Sequence, residues 1–164
     1  MPPAALRPMT AADAPAILAL NAAHLPMVSA LDAGRLARFR DEWGRVDVLD
    51  AGGAFAGFVV TVESGTTYDS VNYAWFAQRF DRFLYLDRIV VHPDFRRRGL
   101  AGLAYDGVEA RAAAYGRLTL EVNLIPRNDP SLAFHDARGY REIGQQGDSA
   151  YRTSMRVRDL DPAG

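Results

Sequence analysis

The sequence predicts an α/β domain built on a mixed sheet. Three observations carry this expectation. Short apolar, β-branched and aromatic runs alternate with alanine-rich helical stretches along the 164 residues. Two pairs of runs are joined closely enough to be antiparallel hairpins. In the second half, single runs are separated by helices, as parallel crossovers require. Hydrophobic residues make up 49% of the chain and charged residues 24%, enough apolar mass for one core, and residues 1–164 read as a single domain.

Taken in order, Ala4 to Met9 predicts a short first strand. Thr10 caps a helix, with Asp13 in its first turn and Ile17, Leu18 and Leu20 as its apolar stripe, and Pro26 ends that region. Asp32 is a second cap, for a helix through Leu36, Phe39 and Trp43. Val46 to Asp50 and Ala54 to Val62 read as two strands around the Gly52-Gly53 turn. Ser64 to Arg82 reads as a long polar and aromatic loop, and loops of that length in compact domains are usually functional. Phe83 to Val91 is the central strand and Arg98 to Tyr115 the main helix, stopped by Gly116. Arg117 to Asn123 is the next strand. Asp129 or Ser131 starts a helix ending at Gly139, and Tyr140 to Ile143 with Ala150 to Val157 form a closing hairpin.

Composition excludes several chemistries. The chain has no cysteine, so thiolate metal sites, disulfides and a covalent acyl-cysteine are ruled out. All 19 basic residues are arginine, which rules out a Schiff-base lysine. A net charge of −1 argues against a nucleic-acid partner. The N-terminal Met1–Arg7 stretch lacks the layout of a signal peptide, and no apolar run is long enough to span a bilayer, so a cytoplasmic protein without a membrane partner is expected. No histidine spacing makes a metal motif, and no metal is expected.

The most informative stretch runs from Ile89 to Ala101. A buried-strand pattern ends at Pro93, and an Arg96-Arg97-Arg98-Gly99-Leu100-Ala101 turn leads into the main helix. The first N–H groups of a helix lack intrahelical partners, and the helix dipole favours an anion there, so this turn is a candidate pyrophosphate cradle. Gly99 permits close backbone approach and a left-handed conformation. The alternative is a basic surface turn before an ordinary helix.

This Arg-x-x-Gly-x-Ala turn after Val91-x-Pro93 resembles the acyl-CoA-binding signature of the GNAT superfamily of N-acyltransferases. Asn128 to His135, followed by Arg138-Gly139-Tyr140, resembles the family's second landmark. The resemblance implies a mostly antiparallel sheet of six to seven strands, flanked by about four helices and splayed at its centre. It also implies acetyl-CoA as acyl donor and a small-molecule or peptide amine as acceptor, with attack in a ternary complex. A homodimer is a further expectation. By resemblance, the backbone of Ile89, Val90 and Val91 meets the CoA arm, the amides from Arg97 to Gly102 hold the pyrophosphate, and Asn123, Asn128 and Ser131 add contacts. Helix capping is the alternative for Asn128 and Ser131. The exit from the strand beyond Asn123 is about two residues longer than the family pattern, so a bulge is expected there.

Catalytic candidates are three. His135 stands where family members often carry a tyrosine that protonates the leaving thiolate; the alternative is a histidine that only binds or packs. Asp87 and Glu121 lie in apolar strands, where a charge is costly unless it lines a cleft, and are candidate bases; a salt bridge with Arg88 or another arginine is the alternative. Asn21, His24, Asn72, Tyr73, Trp75 and Phe76 are candidates for the acceptor pocket, against a packed loop or dimer contact. Two further readings stand beside transfer: a CoA-binding module without activity, and, more weakly, a nucleotide-binding domain with a different glycine pattern.

Overall fold

The computed structural model describes residues 3–162; Met1 and Pro2 of the N-terminal stretch, with Ala163 and Gly164, lie outside them. The chain forms β1 (Ala4–Pro8), α1 (Ala14–Ala22), α2 (Ala33–Arg38), β2 (Gly44–Ala51), β3 (Ala54–Glu63), α3 (Val71–Ala77) and β4 (Leu84–Val91). There follow α4 (Leu100–Ala112), β5 (Arg117–Ile125), α5 (Asp129–Ala137), β6 (Arg141–Gly147) and β7 (Arg152–Asp159). The seven strands make one sheet in the order β1-β2-β3-β4-β5-β7-β6. Every neighbouring pair is antiparallel except β4 and β5.

Local chemistry sets most boundaries. Asp13 accepts the Thr10 N–H at 2.7 Å and pairs with Arg7 at 2.8 Å, fixing the entrance to α1. Asp32 caps α2 by accepting the Arg35 N–H at 2.7 Å. Gly116 ends the α4 region at φ +85°. Two expectations are corrected. The main helix begins at Leu100, not Arg98, because Gly99 turns left-handed at φ +73° and Arg97 also has positive φ. The Ser64 to Arg82 stretch is not a loop throughout: Ser70 accepts the Tyr73 N–H and caps α3, whose Tyr73 and Phe76 turn into the core.

Two apolar layers cover the sheet. On one face α1, α2 with the wider helical turn Phe39–Trp43 that continues it, and α3 bury Ile17, Leu36, Phe39, Trp43, Tyr73 and Phe76 against strand residues such as Phe58 and Tyr85. On the other, α4 and α5 bury Leu100, Tyr105, Val108 and Leu132 against Leu84, Leu86, Leu118 and Leu120. The register of β3 with β4 slips once: Val60 faces Arg88 and Thr61 faces Leu86, leaving Asp87 as the extra residue of a bulge. The slip exchanges the faces. Before it Tyr85 belongs to the α1–α3 layer; after it Val90 does, while Ile89 and Val91 turn to the α4 layer.

Candidate active site

β4 and β5 hold each other only at Leu84–Leu118 and Tyr85–Thr119. Beyond those two pairs they diverge, and a cavity of about 540 Å³ opens between Leu86–Ile89 on one side and Leu120–Asn123 on the other. The bulge lies at the start of this opening. From there β4 keeps its β3 partners but has no partner on its β5 side, so half of its backbone groups face the cavity unpaired.

On the α1–α3 side the cavity is acidic. Glu121 is held by the buried Tyr85 hydroxyl, which lies 2.7 and 2.9 Å from its two oxygens. Burial, partly offset by hydrogen bonds from Tyr85 and Asn72, pushes the Glu121 carboxyl up to about 7. Asn72 is itself hydrogen-bonded to Gln146. Asp87 accepts hydrogen bonds from the Tyr68 hydroxyl and from Arg88 Nε, the latter at 2.7 Å. Arg88 is turned away from the opening: it donates to Asn21 Oδ1 at 3.0 Å, to the Ser29 carbonyl at 2.7 Å and to Ser29 Oγ at 2.7 Å.

On the α4–α5 side the lining includes Tyr105, Asn128, Ser131 and His135. His135 is buried, and both ring nitrogens are engaged. Nδ1 lies 2.7 Å from the Ser131 carbonyl, which can only accept, so Nδ1 carries the proton; Nε2 then accepts from the Tyr105 hydroxyl at 2.6 Å. Burial lowers the His135 pKa, chiefly by desolvating the charged form, and the ring is a neutral acceptor. Asn128 accepts the Ser131 N–H at 3.2 Å and caps α5 while its residue lines the cavity. The strand exit is bulged between Asn123 and Ile125, and Asn123 accepts from the Tyr151 hydroxyl at 3.1 Å.

The Arg96–Gly102 turn lies past the end of β4, outside the cavity lining. Among the described residues, no hydrogen bond engages the N–H groups of Arg97, Arg98 or Gly99, and the first-turn N–H groups of Leu100, Ala101 and Gly102 lack intrahelical partners. Nothing stands within 4 Å of the point where a Gly99 side chain would begin. A phosphate-sized anion therefore has donors and room, which fits the pyrophosphate of CoA. Arg96 donates to His24 Nε2 at 3.2 Å, tying the turn to the end of α1, so His24 braces this turn.

The sequence candidates divide accordingly. Asp87, Ile89, Glu121, Asn123, Asn128, Ser131, His135 and Asn72 come together around the cavity, and Arg96 to Gly102 form the adjoining turn. Val90 is buried in the α1–α3 layer and Val91 packs with the α4 layer, so only their backbone remains for a ligand. Four acceptor-pocket candidates are corrected. Asn21 is buried, bonding Ser29 and Arg88. Tyr73 and Phe76 pack in an aromatic cluster with Phe83 and Tyr85, at centroid distances of 5.5 to 6.4 Å. Trp75 lies against Gly144, where an added Cβ would stand 2.5 Å from the ring, and under the Arg79 guanidinium. Sequence reasoning missed Tyr85, Tyr105, Ser29, Met27 and Tyr151 as lining residues. A tyrosine inside an otherwise aliphatic strand (Tyr85) or on the apolar stripe of an alanine-rich helix (Tyr105) was the available signal, since a buried hydroxyl needs a partner.

The sheet is splayed beside its central strand, and an amide-rich turn stands beyond that strand's end. Residues 22–140 match the family described as Acetyltransferase (GNAT) family, and the chain belongs to it. It is an acetyltransferase, and enzymes of this family use acetyl-CoA. No curated protein matches the sequence. The fold is shared with the ribosomal-protein-S18-alanine N-acetyltransferase from Escherichia coli, at 16% identity and TM-score 0.73 over 98% of this chain and 96% of that one. It is shared too with Arabidopsis thaliana NAA60 in complex with a bisubstrate analogue, at 13% identity and TM-score 0.76 over 98% and 99%. Chaetomium thermophilum Naa20, also with a bisubstrate analogue, aligns at 17% identity and TM-score 0.72 over 94% and 86%. Among the described residues no helix is long and apolar enough to cross a membrane, and no cluster of three metal-ligating side chains occurs.

Proposed function

We propose that the protein transfers an acetyl group from acetyl-CoA to an amine by direct attack, with Glu121 as the general base. One observation carries this reading: a carboxylate near neutrality stands inside the opening between β4 and β5, whose far end leads to the amide-rich turn. A base with a pKa near the working pH combines adequate ionisation with adequate basicity. Bound acetyl-CoA supplies a thioester carbonyl carbon open to attack.

The residues then have distinct tasks. The Arg97 to Gly102 amides hold the pyrophosphate, and the unpaired edge of β4 holds the amide-rich arm and donates an N–H toward the thioester oxygen. Asp87, Tyr68 and Glu121 give the α1–α3 side its attraction for an ammonium. The bound ammonium first releases one proton to water, and Glu121 takes the second from the attacking nitrogen while Tyr85 holds the carboxylate in place. Nitrogen bonds to the acetyl carbon, the bond from that carbon to sulfur breaks, and CoA leaves as the thiolate, which is protonated from solvent.

His135 is not assigned the proton donor's role. With Nδ1–H committed to Ser131 and Nε2 accepting, it has no proton to give, and burial opposes its protonation. It acts instead as a positioning residue for Tyr105, whose hydroxyl lines the cavity and whose one proton is held by His135 Nε2; to serve the departing sulfur that O–H must turn from His135 toward it. The test is acetyl transfer from acetyl-CoA to an amine panel by wild type and Glu121→Gln, with acetyl-CoA binding measured by calorimetry. Transfer lost in the variant while binding is kept supports the assignment; equal transfer removes Glu121 from the mechanism.

A further inference from the structure

The acceptor side of the cavity has an unusual charge inventory. Its lining carries two carboxylates, Asp87 and Glu121, and one permanent cation, Arg88. That cation is spent. Its side chain is 2% exposed, and four of its five N–H groups are already donated, to Asp87, Asn21 and Ser29. The remaining histidine of the lining, His135, is neutral and lies on the opposite side of the sheet opening. A substrate carboxylate beside the reacting amine would therefore find no available cation and would lie beside Glu121, the carboxylate that Arg88 does not neutralise. A substrate ammonium meets the reverse.

The mouth adds a second observation. Met27 and Tyr151 line the cavity, yet they are 72% and 52% exposed, among the few large apolar side chains left open to solvent. They stand at the rim on opposite elements, Met27 in the loop after α1 and Tyr151 just before β7. The Tyr151 hydroxyl is fixed to Asn123, which holds its ring at the opening. An apolar group attached to the amine would cover both.

We infer that the acceptor is a primary amine carrying an apolar substituent and no carboxylate on the amine-bearing carbon. The inference rests on the transferase reading above. Two sources share this chemistry, a small lipophilic amine and a peptide N-terminus whose carbonyl is an amide. Free amino acids are excluded by the absence of an available cation. Displacing Arg88 from its buried partners to serve a carboxylate would leave the Asp87 charge without its cation and Asn21 Oδ1 without its donor, which buried polar groups do not tolerate.

The experiment compares phenylalanine, phenylalaninamide, phenethylamine and ethylamine as acceptors with the full chain and acetyl-CoA. With each kcat/KM referred to the concentration of unprotonated amine, so that differences in amine basicity cancel, the expected result is that phenylalaninamide exceeds phenylalanine by about a hundredfold or more, as like charges placed together demand. Phenylalaninamide above phenethylamine assigns the peptide source; the reverse order assigns the small amine. Met27→Ser should lower kcat/KM for phenethylamine severalfold and leave ethylamine unchanged. Phenylalanine turned over as well as its amide overturns the inference while leaving the transferase reading intact, and so does ethylamine equal to phenethylamine. If none of the four is acetylated while other amines of a broader panel are, the inference alone falls; if no amine is acetylated at all, the transferase reading falls with it.

Discussion

Replacing Glu121 by glutamine gives a prediction that stability and catalysis must satisfy together. The change keeps the side-chain volume and one acceptor oxygen for the Tyr85 hydroxyl, and it removes the charge. Glu121 rises from an ordinary 4.5 to about 7 in the folded protein, chiefly through burial. Between those values the folded chain keeps a proton that the unfolded chain has released. The stability this carboxyl contributes is therefore fully present below pH 4.5 and lost as pH rises through 7. The gap of about 2.5 pH units corresponds to about 3 kcal/mol. Glutamine carries no such dependence. The unfolding free energy of Glu121→Gln minus that of wild type should thus grow by about 3 kcal/mol between pH 4.5 and pH 8, measured by urea denaturation at several pH values. Over the same range wild-type kcat/KM should show an inflection near 7, and the variant should lose it together with about a hundredfold or more of its rate. Any rise in rate that persists in the variant belongs to the amine substrate. A stability difference that does not change with pH, or an inflection near 7 that survives in the variant, would refute the reasoning.

Gly99→Glu should lower acetyl-CoA affinity by at least about a hundredfold in calorimetry, because it places bulk and negative charge in the open space beside six donor amides; Gly99→Ala shares the backbone strain at φ +73° and should lose far less. Comparable losses in the two would assign the effect to strain. Tyr105→Phe should lower kcat about tenfold with acetyl-CoA affinity unchanged, His135→Ala should match it, and the double variant should fall no further, since the two act as a unit; additive losses would separate them. Trp75→Ala should cost about 2 kcal/mol in denaturant unfolding through lost packing on Gly144 and Arg79 while leaving acceptor KM near wild type. A raised KM at unchanged stability would return Trp75 to the acceptor site.

The proposed donor side was far more legible in the sequence than the proposed acceptor side, for a physical reason. A phosphate cradle is made by backbone, so its constraints are local: a glycine at left-handed φ, a helix beginning at once, and a strand before it. Those constraints appear as consecutive letters from Val91 to Ala101. The helix cap at Asn128 and the bulged exit after Asn123 are local in the same sense. The acceptor side is assembled from Tyr68, Asn72, Tyr85, Asp87, Glu121 and Tyr151, brought from four separate parts of the chain. Nothing in the spacing of Tyr68 to Phe76 distinguishes a ring that faces a cleft from one that faces a core. The capping serine at 70, with aromatics at 73, 76 and 80, was a helix signal, and reading it would have turned Tyr73 and Phe76 inward.

The bulge at Asp87 joins these two sides. In a regular strand Asp87 and Arg88 would point to opposite faces, and Ile89 and Val91 would share a face with Tyr85. The extra residue turns Asp87 and Arg88 toward the same layer, where they pair, and sends Ile89 and Val91 toward α4. It occurs just past the last β4–β5 pair, so the strand changes phase where it loses its neighbour. One inserted residue thus places an acidic group on one face of the opening while the unpaired backbone continues along β4 toward the Arg96–Gly102 turn. Glu121 meets Asp87 from the other strand because β5 keeps its regular alternation, with Leu120 and Val122 in the α4 layer and Glu121 beside Tyr85. The two carboxylates therefore share a side of the cavity only because β4 is bulged at Asp87 while β5 stays regular through Glu121, its own bulge falling later, after Asn123.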